Sequence, residues 1–203
     1  MAALPEPDPG RRWEIPDELL TIEEYAALGE TDTGFTELVE GRIVLSPSQK
    51  PGHNLAQFEL ARQLDRQAPG SLRVVPGTDV DLGLAPPGGP GSSRRPDLML
   101  VDKAAIARVH QDKDMIRATE VALVVEIVSP GSKRTDYRVK HDEYADAGIP
   151  HYWIVDLADP VTLIACQGYQ DAAAVTNSFT TDVPFPVKLD LHALIEQHAG
   201  TAR

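Results

Sequence analysis

One segment constrains the fold of this chain more than any other: Val121–Val128 reads VALVVEIV and is apolar at every position but one. A short run that is apolar on both faces predicts a central β-strand that is covered on both sides. Because side chains alternate along a strand, Glu126 shares a face with Val124 and Val128, and Ile127 faces the opposite way. A carboxylate between buried valines is costly unless it is protonated, paired or bound to metal. Any fold of this chain must therefore give Glu126 a proton or a positive partner.

The remaining patterns predict helices and short strands around this strand. A capping box of Thr21 and Glu24 begins a helix that ends at Gly29, and Glu40-Gly41 joins the hairpin strands 35–39 and 42–46. A helix is predicted over 53–67, with a core face made of Leu55, Phe58, Leu60, Ala61 and Leu64. Further strands are predicted at 72–75, 78–82, 98–101, 151–156 and 161–166, and further helices at 104–109, 135–147 and 189–198. Residues 85–95 (APPGGPGSSRR) are typical of a mobile loop. The order predicts an α/β (α+β) domain in which helices flank a central mixed sheet, after an N-terminal helix and β-hairpin.

Composition narrows the classes of function. The chain has 203 residues and a formal net charge of −12, which speaks against a protein that coats nucleic acid non-specifically. It contains no apolar run of about 18 residues, so no membrane span is predicted. The single cysteine, Cys166, excludes an internal disulfide and a cysteine-based zinc site. Residues 1–15 are expected to be a disordered lead and 16–203 one domain; the start lacks a signal-peptide pattern, which predicts a cytoplasmic protein.

A second acid lies at the start of another buried strand. Asp97 opens the segment PDLMLV, and an aspartate in this position often does no more than cap a turn. Glu126, likewise, has a purely structural alternative, an ion pair or a protonated carboxyl. If both carboxylates are ionised and lie side by side, however, a cation must offset their repulsion. Mg²⁺, which prefers oxygen ligands, is the simplest candidate.

Other candidates for chemistry lie near these two acids. Lys140 is predicted at the edge of the sheet-facing stripe of its helix, where it reaches either water or a site. Ser132, Lys133 and Arg134 precede that helix and suit either a phosphate or a solvated turn. Glu37 alternates with two apolar residues in the hairpin, which allows it to face inward.

These residues occur in an order that resembles a known family. The segments TELVEGRIVLSPS, His53, RRPDLMLV and LVVEIVSPGSKRTDYRVKHDEYADAGIPHYWIVD resemble the Uma family of restriction endonuclease-like proteins, in the PD-(D/E)xK nuclease superfamily. The resemblance implies a restriction-endonuclease-like fold, with Asp97 as the metal-binding aspartate and Glu126 as the second acid. Val128 stands where the superfamily has its lysine, so Lys140 on the neighbouring helix is the candidate replacement. Glu37 and His53 correspond to the N-terminal motifs and are auxiliary candidates.

The function implied by this resemblance is metal-assisted hydrolysis of nucleic-acid phosphodiester bonds, with DNA as the expected substrate. Mg²⁺ or Mn²⁺ would be held by Asp97, Glu126 and the backbone carbonyl of Ile127, and Lys140 and Glu37 would assist. A homodimer is expected, because cleavage of both strands of a duplex suits a two-fold assembly. Two alternatives remain at this stage. One is a nuclease-fold binding protein without activity, and the other is a metal-dependent phosphodiesterase acting on RNA or small nucleotides.

Overall fold

The computed structural model describes residues 15–29, 34–46, 48–112, 114–129, 131–168 and 170–196. Its helices are α1 (Ile22–Leu28), α2 (Pro51–Asp65), α3 (Lys103–Asp112), α4 (Lys140–Asp146) and α5 (Ala193–Glu196). Its strands are β1 (Thr36–Val39), β2 (Arg42–Leu45), β3 (Leu72–Pro76), β4 (Val80–Asp81), β5 (Ser93–Arg94), β6 (Leu98–Asp102), β7 (Ile116–Arg117), β8 (Val121–Val128), β9 (His151–Asp156), β10 (Thr162–Gln167), β11 (Gln170–Asp171), β12 (Val175–Thr176), β13 (Ser178–Thr181) and β14 (Val187–Asp190). The predicted lead lies outside the described residues except for its last position. No helix in the described ranges is long and apolar enough to cross a membrane.

The segment VALVVEIV forms β8, a central strand of the main sheet, as predicted. The strand order of this sheet is β11-β10-β9-β8-β6-β3, with β12 also paired to β10. β8 runs parallel to β9, whereas β6 and β8 are antiparallel. The predicted mixed sheet is therefore confirmed, with Glu126 on β8 and Asp97 directly before its antiparallel neighbour β6.

A smaller sheet with the order β2-β1-β5-β4-β7 lies beside the main one. Its β1–β2 hairpin turns at Glu40-Gly41, and both residues have the positive φ angles, 48° and 78°, of the tight turn predicted there. The predicted capping box also forms, since the Thr21 hydroxyl accepts from the Glu24 amide and the Glu24 carboxylate accepts from the Thr21 amide. These local signals determine where α1 begins and where the β1–β2 hairpin turns.

The two faces of β8 pack into separate cores, as the alternation predicts. Ile127 lies in the core formed with α2 and the β13–β14 hairpin, where the Trp153 and Phe179 rings meet edge to face at 5.0 Å. Val124 and Val128 lie in the opposite core, with Tyr144 of α4. Glu126 faces this second core, so its carboxylate meets whatever α4 presents.

Two sequence predictions about packing are wrong. Leu55 and Phe58 are 39% and 66% exposed, because the first turns of α2 instead direct His53 and Ala56 inward. The predicted mobile loop 85–95 contains β5, and both of its residues are buried. Its Pro and Gly residues surround a two-residue strand that pairs on both sides, with β1 and β4.

The outer edge of the C-terminal hairpin is covered by side chains instead of a strand. Gln63 donates to the Asp190 carbonyl and accepts from the Asp190 amide, at 3.1 and 2.8 Å. Gln67 makes the same two bonds to Lys188, both at 2.9 Å. Gln63 and Gln67, called here the glutamine pair, therefore bond to β14 as a neighbouring strand would.

Candidate active site

Asp97 and Glu126 meet where β6 begins beside β8. The antiparallel register pairs Leu98 with Val125, which brings the preceding Asp97 opposite Glu126. Both residues are buried, at 6% and 4% exposure. The carboxylates that the sequence singled out therefore belong to one site.

The Asp97 side chain bonds to the β8 backbone where β6 no longer pairs with it. Its Oδ2 accepts the Ile127 amide at 2.7 Å, beyond the point where β6 can pair with β8. Its Oδ1 accepts from Gln49 at 2.6 Å. His53 Nε2 lies 3.0 Å from the Ile127 carbonyl and 3.2 Å from Asp97 Oδ2, so α2 also reaches the end of β8. Burial works against a charge on His53, but the bond to Asp97 and the Asp97 charge hold the pKa of His53 above its ordinary value.

Glu126 receives its positive partner from the neighbouring helix. Its Oε1 accepts from Lys140 Nζ and from the Tyr144 hydroxyl, each at 2.8 Å. Burial raises the pKa of Glu126; Lys140 opposes this shift, and the nearby Asp97 charge adds to it. Burial lowers the pKa of Lys140, but Glu126 and Glu37 more than reverse this, so the ammonium stays charged. Lys140 is therefore held as a cation between two carboxylates.

Lys140 points inward on a helix that begins with a π-helical turn. Thr135–Val139 forms this turn, in which the Lys140 amide bonds to the carbonyl five residues earlier. Asp136, Lys140 and Tyr144, each four residues apart, lie on the buried side of the helix. The sequence prediction instead placed Lys140 only at the edge of the sheet-facing stripe.

Glu37 enters the site from β1 and is bound on two sides. Its Oε1 lies 3.3 Å from Lys140 Nζ and accepts the Arg95 amide at 3.1 Å. Its Oε2 accepts from Arg94 at 2.9 Å. Burial opposes ionisation of Glu37, but the charges of Lys140 and Arg94 hold its pKa below the ordinary value. The inward orientation allowed by the sequence is confirmed.

Arg94 connects Glu37 to α4. Its guanidinium makes two bonds of 2.6 Å to the two carboxylate oxygens of Glu143, besides the bond to Glu37. Arg94 is only 4% exposed. These three residues, called here the Arg94 network, join β5, β1 and α4, so one side chain ties Glu37 of the hairpin to the helix that carries Lys140.

The donor set fits a hard divalent cation. Asp97, Glu126 and the Ile127 carbonyl offer oxygen atoms only, which is the chemistry that Mg²⁺ and Mn²⁺ prefer. Four buried carboxylates (Glu37, Asp97, Glu126 and Asp136) lie with three buried basic side chains (His53, Arg94 and Lys140), so the site holds more acids than bases. Burial raises the pKa of Asp136, and the Asp97 and Glu37 charges add to this shift, which Ser132 and Lys140 oppose. In the part of the chain that the structure describes, no three His, Cys, Asp or Glu side chains form a ready-made metal cluster.

Comparison with known proteins agrees with this geometry. A family model described as Uma2, "Putative restriction endonuclease", matches residues 22–192. The chain belongs to the Uma2 family. The Uma2 chain is also similar to a solved structure, described as a putative nuclease belonging to DUF820 from Anabaena variabilis ATCC 29413. That similarity has a TM-score of 0.68 at 19% identity and covers 87% of this chain and 98% of that one, which shows a shared fold. No curated protein matches the Uma2 chain.

The segment proposed for phosphate binding is engaged in local contacts in the Uma2 chain. The Ser132 hydroxyl bonds to Asp136 and to Ser129. Lys133 Nζ lies 3.1 Å from an Asp156 oxygen, and its side chain is 69% exposed. Arg134 is exposed and lies two residues before Asp136, which is about half a helical turn from the buried side. A phosphate role for Ser132, Lys133 and Arg134 stays a prediction.

Several residues of the Uma2 site were missed from the sequence. Gln49, which bonds to the Asp97 carboxylate, lies in the loop before α2. Gln57, which donates to the Asp97 carbonyl at 2.6 Å, lies in the first half of α2. Arg94 lies in a segment interpreted as a loop, and Tyr144 was not considered as a site residue. The i, i+4 spacing of Asp136, Lys140 and Tyr144 is a signal that could have identified the helix face.

Proposed function

We propose that this Uma2 protein is a divalent-metal-dependent endonuclease that hydrolyses phosphodiester bonds of nucleic acid, with DNA as the expected substrate. The observation that carries the proposal is the convergence of Asp97 and Glu126 with Lys140, whose Nζ is 2.8 Å from Glu126. The family description and the shared fold with a protein described as a nuclease support the same class of reaction.

Each residue has a distinct role in this proposal. Asp97, Glu126 and the Ile127 carbonyl would hold Mg²⁺ or Mn²⁺, which supplies an activated water and charge stabilisation at the phosphate. Lys140 keeps its proton, because two carboxylates surround it, and presents a positive charge to a phosphate oxygen. Glu37 orients Lys140, and His53 orients Asp97 and the Ile127 carbonyl. All of these groups are held before substrate arrives, as electrostatic catalysis requires.

Cleavage assays test this proposal directly. Purified protein is incubated with Mg²⁺ or Mn²⁺ and with plasmid DNA, single-stranded DNA, RNA and a small phosphodiester, so that the assay also identifies the substrate class. Asp97→Asn and Glu126→Gln are expected to remove cleavage, and Lys140→Met to reduce it by at least about a hundredfold. Asp102→Asn is the matched control, because Asp102 is an exposed acid at the other end of β6. Equal cleavage by Asp97→Asn and Asp102→Asn would refute the proposal.

An inactive nuclease-fold binding protein is the second candidate, and one observation favours it. Both Asp97 oxygens accept hydrogen bonds from protein groups, one from Gln49 and one from the Ile127 amide. Calorimetric titration with Mn²⁺ separates the two candidates. The nuclease proposal expects binding that is lost in Glu126→Gln, whereas the inactive candidate expects none in either protein.

The proposal also includes a homodimer, since two sites related by a two-fold axis can cut both strands of a duplex. Light scattering on the purified protein measures the mass that decides this. A mass near the 22.0 kDa of one chain would contradict the dimer.

A further inference from the structure

A cavity of about 320 Å³ opens beside the candidate active site. Its wall includes Tyr25, Phe35, Thr36, Asp79 and Arg95. The volume is at the lower end of the range, about 300–1,000 Å³, that small-molecule sites occupy. The cavity is therefore large enough for one compact group.

The cavity wall and the active site share two short segments of chain. Phe35 lies two residues before Glu37, and Arg95 lies two residues before Asp97. Two residues of extended chain span about 7 Å. The Arg95 amide also donates to Glu37 at 3.1 Å, so the backbone of the wall is bonded to the site. A group in the cavity is consequently close to the acids that would act on a phosphodiester.

Phe35 has the exposure and the surroundings of a stacking surface. It is 55% exposed, although the Ser46 amide fixes its carbonyl at 2.8 Å as part of the hairpin. The Arg95 guanidinium covers the ring at 4.6 Å from its centre. Asp79 holds that guanidinium with two bonds, of 2.8 and 3.0 Å. Single exposed apolar residues are ordinary, but this ring is pre-positioned beside a cavity and the site.

We propose that this cavity, formed around Phe35 and Arg95, receives an unpaired nucleobase of the substrate, which stacks on the Phe35 ring. The inference rests on the proposed nuclease function and names its substrate class: single-stranded nucleic acid, or a duplex from which one base is extruded. Stacking on an aromatic ring holds any base without a large basic surface. It thereby accounts for substrate binding by a protein whose net charge is −12.

Binding assays separate this inference from the nuclease activity. Fluorescence anisotropy is measured with a labelled oligothymidylate, a blunt duplex and the same duplex with one bulged base, with Ca²⁺ in place of Mg²⁺. Phe35→Ala is expected to weaken binding of the oligothymidylate by about 5- to 100-fold, and Phe35→Trp to preserve it. Phe58→Ala is the matched control, because Phe58 is also exposed but lies on α2, away from the cavity wall. Thermal melting checks that the variants fold.

The three probes also distinguish the two sources of an unpaired base. Binding of the oligothymidylate alone indicates a single-stranded substrate, and additional binding of the bulged duplex indicates an extruded base. Equal affinities for Phe35→Ala and Phe58→Ala, an equal loss on the blunt duplex, or no binding by the unaltered protein would each overturn the inference. Absence of cleavage by the unaltered protein in the assays above would refute the nuclease proposal alone, since binding is measured separately.

Discussion

Substitution of Arg94 by Met removes the guanidinium that joins Glu37 to Glu143 of α4 in the Arg94 network. Methionine keeps much of the apolar stem but leaves Glu37 and Glu143 facing each other without the guanidinium. Removal of one partner from a buried ion pair costs about 3–5 kcal/mol. Glu37 keeps Lys140 and the Arg95 amide, and the Glu143 side chain is 21% exposed, so water can reach it. We therefore expect a loss at the lower end, about 3 kcal/mol.

Urea unfolding, followed by circular dichroism, measures this loss. In a protein of this size a loss of about 3 kcal/mol lowers the melting temperature by about 6–12 °C. Arg117→Met is the control, because the Arg117–Asp114 pair is exposed, with 55% and 40% of the side chains accessible, and such pairs contribute about 0–1 kcal/mol.

A double variant tests the cause of the loss. Because the cost of Arg94→Met comes from uncompensated carboxylates, Arg94→Met combined with Glu143→Gln should be more stable than the sum of the two single losses predicts. A free energy of unfolding for Arg94→Met within about 1 kcal/mol of the unaltered protein would refute the reasoning, as would strict additivity in the double variant.

Three further outcomes follow from contacts in the structure. Tyr144→Phe removes a hydrogen bond to the Glu126 carboxylate and Tyr152→Phe removes one to a backbone carbonyl, so both should lose stability but only the first should slow cleavage; equal cleavage rates would contradict the role of Tyr144. Glu37→Gln should be less stable than the unaltered protein at neutral pH. Because the folded-state pKa of Glu37 lies below its ordinary value of 4.5, this difference in unfolding free energy should shrink as the pH falls below that value; a difference independent of pH would contradict it. Alanine at both positions of the glutamine pair should accelerate hydrogen exchange of the two β14 amides bonded to them, and unchanged exchange would show that the edge is protected otherwise.

The sequence predicted most local structure because local physics determines it. The Thr21 capping box, the Glu40-Gly41 turn and the alternation along β8 each depend on residues close together in the chain. These local features needed no knowledge of distant contacts. The sequence marked Asp97 and Glu126 as costly buried acids, but a shared site for the two was only a condition there, and the resemblance to the family implied it.

The remainder depended on contacts that sequence spacing does not encode. The two residues of β5 form a strand only because β1 and β4 lie on both sides of them. The inward orientation of Lys140 depends on its buried partners Glu126 and Glu37, which come from other strands. Leu55 and Phe58 of α2 looked like core positions, but the start of α2 is used to reach the end of β8.

Lys140 lies on α4 and not on β8, and this has a consequence for the strand. Val128 is 9% exposed and lies in the core with Tyr144 and Tyr152. A lysine at this position would have to extend its amine beyond the core to reach a charged partner. β8 therefore packs through apolar side chains up to its last residue, whereas the position of the Lys140 ammonium depends on where α4 lies against the sheet. Tyr144 anchors α4 in the same core, so the packing of that one ring also fixes the distance between ammonium and carboxylate.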